Sequence, residues 1–405
     1  MQIIIQGVGS VSGLLLIRFM AKEEYAWFTI SASMLATLNL LADGGISTAL
    51  TSVGGRLCQS PAEFSRLLRD GMSLAWRMCV LGIVLATPFF WHLFVRVGMP
   101  PAVIVGLLLL SIAAVWPVAF TSLLSVAARL HSRARQLQLA ELAGGAARLG
   151  LTAFILWLGC GNALMVVAVA AAAVCFQAWI VWRQTLDFSR PEPSSESYRR
   201  ELGGFVRALY ANHLFFCIQG QIATWLISWL AGVGEVADLG ALSRLAVLFS
   251  ALGAPFVYLV APSMARIQDR SILRRRFALA VGASFAGTAA VLALAAWQPG
   301  WFLWLLGAKY SKLGPELVLA LASQGVGMIS GICWGLMVVR GWVRHAWLNI
   351  LLSCLGYAVG ASLVAVDTVA GVLTMNLLAS TPLLIWVLLR CWSQLNKPSQ
   401  KDSPT

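Results

Sequence analysis

Twelve long apolar runs, separated by short polar segments, are the feature of this sequence that most constrains its fold. A helix that crosses the hydrocarbon core of a bilayer needs about 20 mainly apolar residues. Of the 405 residues, 59% are hydrophobic and 11% are charged, against about 25% charged in ordinary soluble domains. This pattern excludes a soluble enzyme, a disordered chain and a disulfide scaffold. It also excludes a β-barrel, whose strands alternate apolar and polar residues.

The sequence therefore predicts an all-α polytopic membrane protein with about 12 transmembrane helices. The predicted spans are 2–20, 25–42, 71–95, 102–127, 139–159, 162–182, 208–231, 238–261, 277–297, 315–339, 345–365 and 369–390. A polar segment rich in Pro, Ser and charge, 183–204, predicts a cytosolic linker between an N-terminal six-helix bundle, 1–182, and a C-terminal one, 205–392. The remaining residues, 393–405, are predicted to form a cytosolic tail. The first span lacks the basic start and cleavage site of a signal peptide, so we expect it to be retained.

The basic residues predict the orientation, because cytoplasmic loops of membrane proteins are enriched in Lys and Arg. On one side of the predicted helices lie 22 basic residues and on the other only 4, which are Lys22, Arg96, Lys309 and Lys312. This split places both termini in the cytoplasm. The net charge of +13 is spread along the loops at regular intervals, and this spacing argues against nucleic-acid binding.

The sequence contains none of the residue patterns typical of an enzyme site. The four histidines lie far apart, and zinc-protease, serine-hydrolase and nucleotide-binding motifs are missing. The eight cysteines form no Cys-x-x-Cys pair and indicate neither a disulfide framework nor a metal site. We therefore expect no catalytic residues and no cofactor, with coupling to an ion gradient or to the membrane potential left open.

Apart from Arg77 and Arg390, which lie near span ends and are counted among the 22 flanking residues, three arginines fall inside predicted spans. An ionisable side chain is costly there and indicates function by default. The three are Arg148, Arg244 and Arg18, with Arg148 predicted to lie deepest. One interpretation is a cationic cavity for an anionic substrate. The alternative is structural, either an ion pair, for which Glu141 lies on the same helix face as Arg148, or a side chain that reaches back to the interface.

The seventh predicted span carries a series of polar residues that could line the same cavity or pack against other helices. They are Asn212, His213, Gln219 and Gln221. In the eighth span and just after it, Gly253, Pro255 and Pro262 are hinge candidates, with static kinks as the alternative. Residues 1–22 contain no Asp or Glu, so the first helix lacks the carboxylate on which cation-coupled exporters generally depend. The deep charge is positive, which favours an anionic cargo.

Four short motifs resemble those of bacterial polysaccharide flippases. They are RFMAKEEYAWF at 18–28, LLADGGISTAL at 40–50, GEVADLGALSRL at 234–245 and VAPSMARI at 260–267. This chain departs from the family pattern at Ala26 and Ala237, where the family usually has Gly, and at Ala21-Lys22, which replaces Gly-Pro. The turn after the first helix is therefore expected to be looser.

The resemblance implies a member of the superfamily that contains drug, polysaccharide and lipid-linked precursor exporters. It implies two six-helix bundles around a central cavity that opens alternately to each side of the bacterial inner membrane. The implied cargo is a polyprenyl-diphosphate-linked oligosaccharide for surface polysaccharide such as lipopolysaccharide, with membrane lipids and other polysaccharide-assembly membrane proteins as partners. Two alternatives remain open at this point, a cation-coupled multidrug or lipid exporter of the same fold and a membrane polysaccharide polymerase or ligase.

Overall fold

The computed structural model describes residues 1–57, 60–187, 195–250, 267, 269–340, 342 and 347–396. In these residues all regular structure is helical, which confirms the predicted all-α class. Contacts divide the chain into two compact units, Met1–Gly240 and Ala241–Thr405, called here the N-terminal and C-terminal units.

The N-terminal unit contains eight helices and the beginning of a ninth. They are α1 (Gln2–Phe19), α2 (Lys22–Asp43), α3 (Ile46–Leu57), α4 (Pro61–Arg96), α5 (Pro101–Leu130), α6 (Ala134–Trp157), α7 (Ala163–Thr185), α8 (Glu196–Leu230) and α9 (Val233–Ser250). The described part of the C-terminal unit holds the rest of α9 and five further helices. These are α10 (Arg270–Trp297), the short α11 (Pro299–Leu306), α12 (Gly314–Val339), α13 (Trp347–Leu363) and α14 (Val369–Leu395), with a single 3-10 turn at Ala308–Tyr310.

Helix length and hydropathy agree with the predicted spans. Eight helical segments are long and apolar enough to cross a membrane, α2 and α3 counting together as Lys22–Leu57. Two shorter apolar helices, Ile4–Phe19 and Trp347–Leu363, add to them. The two remaining predicted spans correspond to α8 and α9, so each of the twelve has a helix in the described residues.

Helix boundaries differ from the prediction around the linker. Helix α7 ends at Thr185 and α8 begins at Glu196, twelve residues before its predicted start, so the connection is shorter than 183–204. The early part of α8 is helical because it is anchored on α4: buried Asp70 accepts the Ser195 amide at 3.0 Å. Whether the chain functions as two halves joined at this linker stays a prediction.

Prolines inside the predicted spans do not end their helices. Helices α4, α5 and α14 continue through Pro88, Pro117 and Pro382. A proline removes one backbone hydrogen bond, and packing of long apolar helices tolerates that loss. The hinge candidates Gly253, Pro255 and Pro262 lie outside the described residues.

Each unit has its own apolar core. In the N-terminal unit, side chains of α3, α4 and α5 pack with the first turns of α8, where Leu202 and Val206 are buried. In the C-terminal unit, α10, α12 and α14 share a core that includes Phe277, Ile332 and Val387. Because Leu202 and Val206 are buried in the first core, α8 belongs to the N-terminal unit, which ends inside α9 at Gly240.

Candidate functional site

Arg148 lies on the inward face of α6. Counting 1.5 Å per residue, it stands about 21 Å from the start of the helix and about 14 Å from its end. One stripe of α6, at the spacing of one helix face, contains the buried residues Leu137, Ala140, Gly144 and Thr152. Arg148 follows Gly144 by four residues and precedes Thr152 by four, so it belongs to this stripe and is partly buried.

The other side of α6 carries exposed apolar side chains at Leu139 and Trp157, with Phe154 between the two sides. Leu151 is also exposed, but it follows Arg148 by three residues and lies on the same side of the helix. An added Cβ at Gly144 would meet Gln177 of α7, and one at Gly145 would lie 3.5 Å from Val8 of α1. Arg148 therefore lies on the side of α6 that packs against α1 and α7.

Glu141 lies on α6 within electrostatic reach of Arg129, which occupies the last turn of α5. Helix spacing takes no account of this approach of α5 to α6. Whether Glu141 also pairs with Arg148 stays a prediction.

Arg18 lies on α1, which packs against α6. It occupies the last turn of α1 and is exposed. Because Val8 contacts Gly145, Arg18 is ten residues beyond this contact along α1 and Arg148 is three residues beyond it along α6. The two arginines thus differ in axial level by at least about 10 Å. A cation in the last helical turn also interacts favourably with the helix dipole, which is a sufficient structural role for Arg18.

Two of the polar residues predicted in the seventh span contact α2. The Ser33 hydroxyl donates a hydrogen bond to Gln221 Oε1 at 2.6 Å. His213 Nε2 lies 3.9 Å from Asp43 Oδ2, both side chains being about one quarter exposed. The contacts run from Ser33 to Asp43 along α2 and from Gln221 back to His213 along α8, so the two helices are antiparallel. We call this set of contacts the α2–α8 polar stripe.

The other predicted residues are placed elsewhere. Gln219 is partly buried and lies off the polar stripe, two residues before Gln221. Asn212 belongs to α8, but its side chain is outside the described part of the structure. Arg244 is partly buried in α9 and belongs to the C-terminal unit. The structure thus brings His213 and Gln221 onto one interface and assigns Arg148, Arg18 and Arg244 to three other helices.

Asp43 was missed as a candidate because it follows the predicted end of the second span. Its carboxylate accepts the amides of Gly45 and Ser47, each at 3.2 Å, and the Ser47 hydroxyl. It therefore caps α3 while facing His213. The signal in the sequence is an acid followed by two glycines at a helix end, and Gly44 indeed adopts a left-handed conformation with φ 47°.

Asp70 is a second buried acid that the sequence did not single out. Its side chain is 1% exposed, and Arg199 of α8 approaches it at 3.8 Å in addition to the Ser195 amide. The predicted span began at 71, which left Asp70 in a loop. Its burial shows that the N-terminal turns of α4 and α8 form one packed layer.

Replacing Asp70 with alanine is expected to lower the free energy of unfolding by about 1–3 kcal/mol, because the Ser195 amide then loses its partner. The measurement is the unfolding midpoint in detergent. Arg200→Ala on α8 is the matched control and should cost less than about 1 kcal/mol, since Arg200 and its partner Glu196 are both highly exposed. Equal losses for the two variants would contradict the capping role.

Comparison with solved structures identifies the architecture. No protein-family model matches the chain, and no curated protein matches its sequence. An inward-facing multidrug resistance MATE family transporter of the MOP superfamily matches with TM-score 0.66 and 15% identity over 98% of this chain and 96% of the other. The chain has the fold of MOP superfamily transporters.

Two further structures extend this likeness. Lipid II flippase MurJ, in an inward closed conformation, matches with TM-score 0.76 and 12% identity over 95% of this chain and 85% of that one. A MOP superfamily transporter from Pyrococcus furiosus, described as having a binding pocket of reverse polarity, matches with TM-score 0.62 and 15% identity over 97% and 93%. Each of these three matched proteins is a transporter or a flippase.

Proposed function

We propose that this protein is an alternating-access flippase that moves a polyprenyl-diphosphate-linked oligosaccharide across the bacterial inner membrane. The observation that carries the proposal is the position of Arg148, partly buried on the inward stripe of α6 and distant from both helix ends. An arginine at this depth is costly unless it serves a polar interior.

A diphosphate is a chemically suitable ligand for such a position. The planar guanidinium group pairs phosphate oxygens two at a time and keeps its charge at any physiological pH. Arg148 is therefore proposed to contact the diphosphate. His213 and Gln221 are proposed sugar contacts on α8, reached when the α2–α8 polar stripe separates. Gln219, which lies off that stripe, is proposed as a further sugar contact, and Arg244 and Arg18 are proposed secondary cationic positions.

The comparisons support a lipid-linked cargo without naming it. MurJ, a lipid II flippase, has the same fold and matches over 95% of this chain. A second candidate function is a cation-coupled multidrug exporter, which the MATE likeness favours. Against it, α1 carries no acidic residue, and Asp43 on α2 is already engaged in capping α3.

A deletion strain tests the proposal. If the protein is the flippase, deletion should reduce surface polysaccharide and leave lipid-linked oligosaccharide accumulated in the cytoplasmic leaflet, and the gene supplied in trans should restore both. Sensitivity to cationic drugs with normal surface polysaccharide would instead identify the exporter. If the lipid-linked oligosaccharide reaches the outer leaflet normally but stays there as unpolymerised repeat units, the polymerase or ligase would be indicated.

Topology is testable through Cys160, an exposed cysteine in the loop between α6 and α7. With both termini cytoplasmic, this loop is on the outer side, so a membrane-impermeant maleimide should label Cys160 in intact spheroplasts. Cys160→Ser provides the background signal, with the other seven cysteines unchanged. Labelling that requires inverted vesicles would reverse the proposed orientation.

A further inference from the structure

The start of α10 carries a run of positive charge for which the described residues provide no ion pair. Arg274, Arg275 and Arg276 follow one another within the first two turns, and all three are exposed. The other side of the helix packs into the C-terminal core through Leu273 and Phe277, each about 97–98% buried.

Arg275 and Arg276 share a stripe with exposed apolar residues. Ile272 is 46% exposed and Leu279 is 63% exposed, at positions three or four residues from the two arginines. Residues 271–297 are long and apolar enough to span a membrane, so we expect this exposed stripe to face lipid. The two arginines lie where the apolar part of the helix begins, which in a membrane would be the depth of the lipid phosphate groups.

Arg274 is directed differently. Its Nη1 lies 3.4 Å from Asn396 Oδ1, just after the end of α14, so it interacts within the C-terminal unit. It is not part of the outward stripe, because Leu273 and Phe277 on its side are buried.

The acidic residue nearest to these arginines in the sequence already accepts hydrogen bonds from the first turn of α10. Asp269 is the sole Asp or Glu in the sequence between 267 and 297. Its carboxylate accepts the Ser271 hydroxyl and amide, both at 2.7 Å, and the Ile272 amide at 3.3 Å. The Ser271 hydroxyl and these amides lower the pKa of Asp269. The first amides of α10 are thus capped, and an approaching anion would meet guanidinium groups rather than the helix end.

We propose that Arg275 and Arg276 bind the phosphate headgroup of an anionic phospholipid in the leaflet beside the start of α10. Guanidinium groups pair phosphodiester oxygens bidentately, while Ile272 and Leu279 contact the acyl chains of the same lipid. This surface is separate from the residues proposed to contact cargo, so it does not depend on the cargo being a lipid-linked oligosaccharide.

The test measures binding of dioctanoyl phosphatidylglycerol to the purified full chain in a neutral detergent by native mass spectrometry. Removing both charges, as R275Q/R276Q, should weaken the first bound lipid at least about fivefold, because a basic residue at an anionic surface contributes about that factor. R275K/R276K should retain most of the binding. The matched control is R135Q/R207Q, which removes two exposed arginines from α6 and α8.

Four outcomes would overturn the proposal. One is unchanged phosphatidylglycerol binding in R275Q/R276Q, and another is an equal loss in R135Q/R207Q, which would mean that net charge alone matters. The third is displacement of the lipid by inorganic phosphate at low millimolar concentration, which would indicate a free-anion site. Equal weakening of dioctanoyl phosphatidylcholine would count against recognition of the anionic headgroup.

Discussion

Replacing Arg148 with alanine is expected to lower surface polysaccharide in the complemented deletion strain by about tenfold or more, because a charged hydrogen bond to the diphosphate would be lost from a partly buried site. Arg148→Lys should recover part of the activity, since the charge is kept and the bidentate geometry is not. The readouts are surface polysaccharide per cell and the amount of lipid-linked intermediate retained in the cytoplasmic leaflet.

The control for Arg148 is Arg135→Ala on the same helix. Arg135 is exposed near the start of α6, and its loss should leave export unchanged. Protein abundance in the membrane must be equal for the three variants, because a structural arginine would reduce folding as well as export. If the Arg148→Ala protein is normally abundant and supports full export, the proposal that Arg148 contacts the cargo is wrong.

Replacing Gly356 with leucine is expected to prevent stable folding of the C-terminal unit. Helices α13 and α14 are so close here that an added Cβ at Gly356 would lie 2.6 Å from Ala379 Cα and 3.0 Å from the Leu378 carbonyl oxygen. These are backbone atoms and cannot rotate away. Even Gly356→Ala should therefore cost about 1–3 kcal/mol, and larger side chains should cost more.

A matched glycine on a neighbouring helix isolates this effect. Gly331 lies in α12, and no described atom comes within 4 Å of the position its Cβ would take. Gly331→Ala should be neutral or slightly stabilising, since alanine is favoured over glycine in helices by about 1 kcal/mol. The measurement is the apparent melting temperature in detergent, and similar values for Gly356→Ala and Gly331→Ala would contradict the close approach of α13 and α14.

The glycines illustrate how far sequence patterns reach. A four-residue spacing puts glycines on one helix face both at Gly356 and Gly360 and at Gly327, Gly331 and Gly335. The first pair lies against α14, whereas the other three face open space among the described residues. Spacing places glycines on one helix face, but which helix approaches that face depends on tertiary packing.

The candidate site shows the same limit. Helix periodicity sufficed to place Arg148 inside a span, and the structure adds that it belongs to the buried stripe of α6. The contacts of His213 and Gln221 with Asp43 and Ser33 join residues more than 160 positions apart. No local pattern encodes such a pairing, because it arises from the antiparallel packing of α2 on α8.

The sequence by itself determined that this chain is an all-helical membrane protein with about twelve spans, because hydrophobic length and the distribution of basic residues are properties of each segment separately. Only the tertiary structure decided which polar residues meet, which glycines lie against a neighbouring helix and which acids are buried. Those outcomes depend on helix-to-helix contacts between distant segments. They placed Asp43 at the end of α2 and Asp70 inside α4, two positions that sequence reasoning had assigned to loops.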